Sequence, residues 1–236
     1  MQAICRRELQ AYFKSPLGYI YLAIFFFFGG QFLADQISYY GTNQISTIFS
    51  SMFSILLFTM PILTMRLMSE DKRLKTDQAL LTAPVSLEGI VMGKFLAALA
   101  LFGIAVSMTI VDFIVLSALS SPQWSIFFSN LIGIILLGAA LISIGLFISC
   151  MTESQMVAAI VGFAAMFAIL MIDNLASALP TALSFVATIL TKLSFMTPYN
   201  DFVSGILDLG NVLFFVSVTA VFLFLTVRIL EKKRWS

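Results

Sequence analysis

Six apolar runs follow one another along the chain, separated by short polar stretches. They occupy about residues 17–35, 46–67, 91–119, 126–149, 156–179 and 211–230. A bilayer core of about 30 Å needs about 20 helical residues to cross it. Lipid offers the backbone no hydrogen bonds, so each run is predicted to be a transmembrane helix. Residues 1–15 pattern differently: at about 100° per residue, Cys5, Leu9 and Tyr12 share one face with Phe13 beside them, while Arg7, Gln10 and Lys14 lie opposite. That spacing predicts a short amphipathic helix in the membrane interface, with an ordinary aqueous tail as the alternative. It should end at Ser15-Pro16, because the residue before proline avoids the helical region. Charges interrupt the segment and no small-residue cleavage site follows, so a secretory signal is not expected. Residues 180–210 mix a short apolar piece, Leu183 to Leu190, with Pro180, Lys192, Pro198, Asp201 and Asp208. The piece is too short to cross, which predicts re-entrant or interfacial helices between spans five and six.

Composition agrees with the pattern. Of the 236 residues 60% are hydrophobic and 11% charged, and the mean hydropathy is +1.03. A soluble domain holds about 45–50% apolar and about 25% charged residues. The expected fold is therefore an all-α integral membrane domain over residues 1–236, with the bilayer as its solvent. A net charge of +1 gives no reason to expect a nucleic-acid partner. With no histidine and two cysteines, most metal sites and His-dependent catalysis are excluded, and neither a catalytic residue nor a metal site is assigned. Cys5 and Cys150 read as reduced, unpaired thiols.

Lysine and arginine set the orientation. Arg6, Arg7, Lys14, Arg66, Lys72, Arg73, Lys75, Lys94, Arg228, Lys232, Lys233 and Arg234 flank one side of the six spans, and Lys192 alone flanks the other. By the positive-inside rule both termini are expected in the cytosol. The one sizeable cytosolic loop, 68–90, opens with Glu70, Asp71, Lys72, Arg73, Lys75 and Asp77, and Leu74, Leu80 and Leu81 give it an apolar side. Ser69 as N-cap and Ala83-Pro84 as stop predict a charged helix over 69–83, either a solvated connection or a docking element.

Gly89-Ile-Val-Met-Gly93-Lys94-Phe95 superficially resembles a phosphate-binding loop. It has three residues between the glycines instead of four, and Phe where the Mg²⁺-binding Ser/Thr belongs, so the chain is not expected to hydrolyse ATP. Asp112 and Asp173 (with Asn174 adjacent) fall inside spans, about 24–27 Å from the cytosolic ends. Ionisable groups at such depth mark a conduit, a substrate contact or a helix-helix hydrogen bond. Neither aspartate sits in the Gly-x-Gly-Asp or Tyr-Asp setting of an intramembrane aspartyl protease. Small residues recur every four positions at Ser154, Ala158 and Gly162, and at Gly89 and Gly93, spacing that permits close packing within one chain or between two.

The segment Leu80-Leu-Thr-Ala-Pro-Val-Ser-Leu-Glu-Gly-Ile-Val-Met-Gly-Lys-Phe-Leu-Ala97 resembles the signature of ABC-2 type transporter permeases. Arg6-Arg-Glu-Leu with Tyr12-Phe-Lys-Ser-Pro-Leu is similar to that family's amino-terminal elbow helix. Pro198-Tyr-Asn-Asp-Phe, Gly205-Ile-Leu-Asp208 and Glu231-Lys-Lys-Arg-Trp235 resemble its gliding-motility branch, typified by GldF. The resemblance implies an elbow helix, six spans, a coupling helix between spans two and three, and short re-entrant helices before span six. It implies that the helix carrying Glu70, Asp71, Lys72, Arg73, Leu74, Asp77 and Leu81 docks on an ATP-binding subunit, present in two copies. That partner would hold ATP and Mg²⁺, with no cofactor in this chain. Relatives often carry Gly-Thr-x-Glu where this chain has Lys75-Thr-Asp-Gln78.

The function expected on this resemblance is a permease subunit in the bacterial cytoplasmic membrane, coupling ATP hydrolysis to export or to mechanical work. A second permease chain, identical or different, would complete it. The alternatives are a secondary transporter driven by protons through Asp112 and Asp173, and a non-transporting assembly factor.

Overall fold

The computed structural model describes residues 2–40, 45–76, 86–119, 123–178 and 184–235. All regular structure among them is helical. In chain order the helices are α1 (Gln2–Lys14), α2 (Pro16–Asp35, continued by a π-helical turn at Gln36–Tyr40), α3 (Ile45–Thr64), α4 (Ser69–Arg73), α5 (Leu87–Val106), α6 (Met108–Leu119), α7 (Trp124–Met151), α8 (Gln155–Ala178), α9 (Ser184–Leu193), α10 (Met196–Val203) and α11 (Leu209–Trp235). Six of the resulting segments are long and apolar enough to cross a membrane, with α5 and α6 forming one of them.

The bundle is organised around α7. Its buried residues run from Phe127 to Cys150 on all sides, and α3, α5, α8, α10 and α11 all pack on it. Small residues make this possible. A Cβ on Gly138 would lie 2.0 Å from the Phe102 ring of α5, and one on Gly145 would lie 2.1 Å from Thr64 Oγ1 of α3. Close helix approach at glycine is a common membrane solution, since lipid itself drives apolar helices together only weakly. The outer faces of α8 and α11 remain apolar and exposed, at Met156, Ile160 and Phe167 and at Leu209, Leu213 and Val221. Such faces are ordinary when lipid is the solvent.

The third span departs from a single straight run. Ser107 separates α5 from α6, its hydroxyl donating to the Ile104 carbonyl (2.6 Å), and Thr109 Oγ1 likewise donates to Val106 (2.8 Å). Hydroxyls that compete for helix carbonyls bend or interrupt helices. Of the ladder in the fifth span, Ala158 is buried, and a Cβ on Gly162 would stand 3.2 Å from Pro61 of α3. That part of the ladder packs inside the chain.

Between spans five and six, α9 and α10 are not equivalent. Helix α9 lies on α8 with Phe185 and Leu193 exposed, whereas α10 inserts against α7 and α3. Tyr199 donates to the Phe49 carbonyl (2.8 Å), and Ser129 of α7 donates to the Phe202 carbonyl (3.0 Å). Both α10 aromatics are fully buried. Gly205, at φ +87°, then reverses the chain toward α11, in a conformation that favours glycine.

Candidate functional site

The termini, the end of α3, α4 and the start of α5 meet at one end of the bundle, which also carries most of the lysines and arginines. Here α1 packs its apolar side against α5 and α2, with Tyr12 buried and Ile4, Leu9 and Phe13 against the core. The inward side of α1 also carries Glu8. Opposite it, two turns into the apolar α5, stands Lys94, only 2% exposed.

An ammonium has three donors and no acceptor. Lys94 Nζ donates to Glu8 Oε1 of α1 (3.0 Å) and to the Leu67 carbonyl beyond α3 (2.6 Å), and forms an ion pair with Asp71 Oδ2 of α4 (2.6 Å). Arg7 closes the charge balance, 2.6 Å from Glu8 and 3.7 Å from Asp71, so two cations face two carboxylates. Burying a charge is tolerable only with such pairing. The other Asp71 oxygen, Oδ1, accepts from the Thr76 hydroxyl (2.8 Å).

Two further ties surround this cluster. Arg66 pairs with Glu70 (2.7 Å), donates to Ser15 Oγ (2.6 Å) and lies over the Tyr12 ring, whose hydroxyl donates to the Leu63 carbonyl (2.7 Å). Near the end of α7, Ser149 Oγ accepts from the Met68 and Ser69 amides (3.0 and 3.1 Å) and donates to the Met65 carbonyl (3.0 Å). Lys72 donates to the Cys150 carbonyl. Short α4 is thereby fastened to α1, α5 and α7 at once.

The residues expected in the coupling helix divide accordingly. Glu70, Asp71 and Lys72 point into the bundle, while Arg73 and Leu74 are exposed, Leu74 at 59%. The helix expected over 69–83 is interrupted after Arg73, where Lys75 adopts φ +56°. Asp77 and Leu81 lie outside the described residues, as do residues 80–85, the first third of the Leu80–Ala97 motif. Lys94, Glu8, Arg66 and Ser149 were not singled out as site residues. The legible signal was Lys94 itself, a lone cation inside an apolar span.

The intramembrane aspartates have separate surroundings. Asp112 of α6 is fully buried, and neither carboxyl oxygen has a hydrogen-bond partner among the described residues. It faces the α2 backbone, with Oδ2 3.9 Å from where a Cβ on Gly29 would stand. Asp173 Oδ2 accepts from Ser194 Oγ (2.8 Å), and Ser194 in turn accepts from the Met196 and Thr197 amides, joining α8 to the start of α10. Asn174, beside it, is exposed. Cys5 and Cys150 are both free thiols. No group of three or more metal-ligating side chains occurs among the described residues.

A family model described as ABC-2 family transporter protein matches residues 30–235. No curated protein matches the chain.

Proposed function

The chain belongs to the ABC-2 transporter family and is a multi-pass membrane permease subunit of an ABC transporter, a transport component that works with an ATP-binding subunit; we propose that this partner docks at α4 and drives the spans through Lys94. The observation that carries the reading is the pairing of Lys94 with both Glu8 and Asp71, which couples α4 to α1 and α5. A push on the exposed Arg73–Leu74 edge would then move the amphipathic α1 and the third span together, as rigid bodies move about packed interfaces. Asp77 and Leu81 are proposed to extend the docking edge. Glu70, Asp71 and Lys72 are proposed to transmit force inward instead of touching the partner.

In this reading the basic end faces the cytosol of a bacterial cell, with both termini there and the helices in the cytoplasmic membrane; the distribution of lysine and arginine supports it. α1 serves as the elbow helix, and α9 and α10 form the re-entrant pair. Two ATP-binding subunits carry the nucleotide and Mg²⁺, and a second permease chain, identical or different, completes the assembly. Export of an amphiphile suits spans rich in Phe and Met. Mechanical work without cargo rests on the resemblance to the gliding-motility branch.

The test is affinity purification from native membranes in mild detergent. An ATP-binding-cassette subunit is expected in roughly equal amount to this chain, and Arg73→Glu with Leu74→Asp should strip it away while the permease remains monodisperse. A permease that purifies alone, even after cross-linking, would overturn the reading. The proton-driven alternative has one observation behind it, the carboxyl of Asp112, which has no hydrogen-bond partner among the described residues. It predicts transport without any ATPase.

A further inference from the structure

At the basic end a cleft of about 270 Å³ opens between α5 and α11. Its floor is apolar: Val91 and Met92 from one helix, Leu223, Phe224 and Val227 from the other. Its rim carries Glu88, in the first turn of α5, and Arg228 and Glu231, near the end of α11. Both helices belong to segments apolar enough to cross a membrane, so the floor lies toward the hydrocarbon and the rim toward the headgroups.

We propose that this cleft binds one zwitterionic phospholipid, its phosphate at Arg228 and its ammonium between Glu88 and Glu231. The guanidinium is fixed at the mouth, lying 4.8 Å over the Phe224 ring and pairing with Glu231 at 2.6 Å. A guanidinium has five N–H donors, so this pair leaves others for phosphate. Glu88 has no ion-pair partner among the described residues. Among the residues that line the cleft, two carboxylates face one guanidinium, so the lining itself is net negative, with Lys232, Lys233 and Arg234 following on α11 outside it. An anionic headgroup would be repelled by that surplus, whereas an ammonium three or four bonds from a phosphate matches it. A soluble partner cannot reach a floor inside the bilayer, and an apolar helix of a second chain would leave Glu88 unmatched. The volume lies just below the usual range of small-molecule sites, about 300–1,000 Å³. It suits a headgroup and the upper part of one acyl chain, the remainder continuing along the exposed face of α11 at Val221 and Leu225.

Native mass spectrometry of the purified full chain tests this, with phosphatidylethanolamine or phosphatidylglycerol of identical acyl chains as the probe. One phosphatidylethanolamine should be retained about threefold more strongly than phosphatidylglycerol, the size expected of exposed ion pairs. Glu88→Gln with Glu231→Gln should reverse that preference, because Arg228 then faces the phosphate alone. Met92→Trp fills the cleft and should weaken retention of both lipids about tenfold, equivalent to roughly two buried methylenes. Leu223→Trp, from the opposite wall, should do the same and guards against a folding defect in the first variant. Equal retention of the two lipids by the unmodified chain would overturn the proposal. So would unchanged retention in both tryptophan variants, or a photo-cross-linker at Leu223 that captures a protein in native membranes instead of lipid.

Discussion

Lys94 and Asp112 lie on the same third span, about 27 Å apart at 1.5 Å per residue, and both side chains are buried. Their surroundings differ completely. Lys94 donates to two acceptors and pairs with carboxylates from two other helices, while neither oxygen of Asp112 has a hydrogen-bond partner among the described residues. A buried cation paired with carboxylates from two helices holds elements in register. The Asp112 carboxyl ties none of the described residues by hydrogen bonding, so α6 lacks the constraint that locks α5. The near half of the span is built as a joint and the far half is not, with Ser107 as the boundary between them.

Breaking the joint should have the largest effect. Lys94→Met leaves the partly buried Glu8 and Asp71 with only the half-exposed Arg7 as counter-ion and should cost about 3 kcal/mol, read as a lower midpoint in thermal unfolding of the detergent-solubilised chain. Adding Glu8→Gln and Asp71→Asn should recover part of the loss. A Lys94→Met protein as stable as the original would dismiss the cluster as a structural element. Ser149→Ala comes next. It removes the acceptor of two buried amides and should cost about 1–3 kcal/mol, with faster hydrogen exchange at Met68 and Ser69 as the local signature.

The smallest effect is expected at the far half, where Asp112→Asn removes no hydrogen bond and should change stability by less than about 1 kcal/mol. A drop as large as that of Lys94→Met would mean that Asp112 has a partner in the membrane.

The number of spans, their approximate limits and the amphipathic α1 were legible because each depends on a local property: a run of about 20 apolar residues, or a period of 3.6. The cluster at the basic end was legible only in fragments. Lys94 counts as one more orienting charge, and Glu70, Asp71 and Lys72 open a charged helix that is either a solvated connection or a docking element. Their inward turn depends on Glu8, 86 residues before Lys94, and on Cys150, 78 residues after Lys72. No periodicity reports pairs so far apart. The weight of α7 was hidden for a similar reason, since Gly138 and Gly145 matter only because Phe102 and Thr64 arrive there.

By itself, then, the sequence determined the solvent, the helical class and the spans, because transfer of apolar side chains into lipid is summed residue by residue along the chain. The tertiary structure alone decided which charges face the protein and which face outward. A buried ion is stable only where its counter-ions and acceptors converge in three dimensions, and that convergence makes Lys94 a joint, whereas none of the described residues hydrogen-bonds the Asp112 carboxyl.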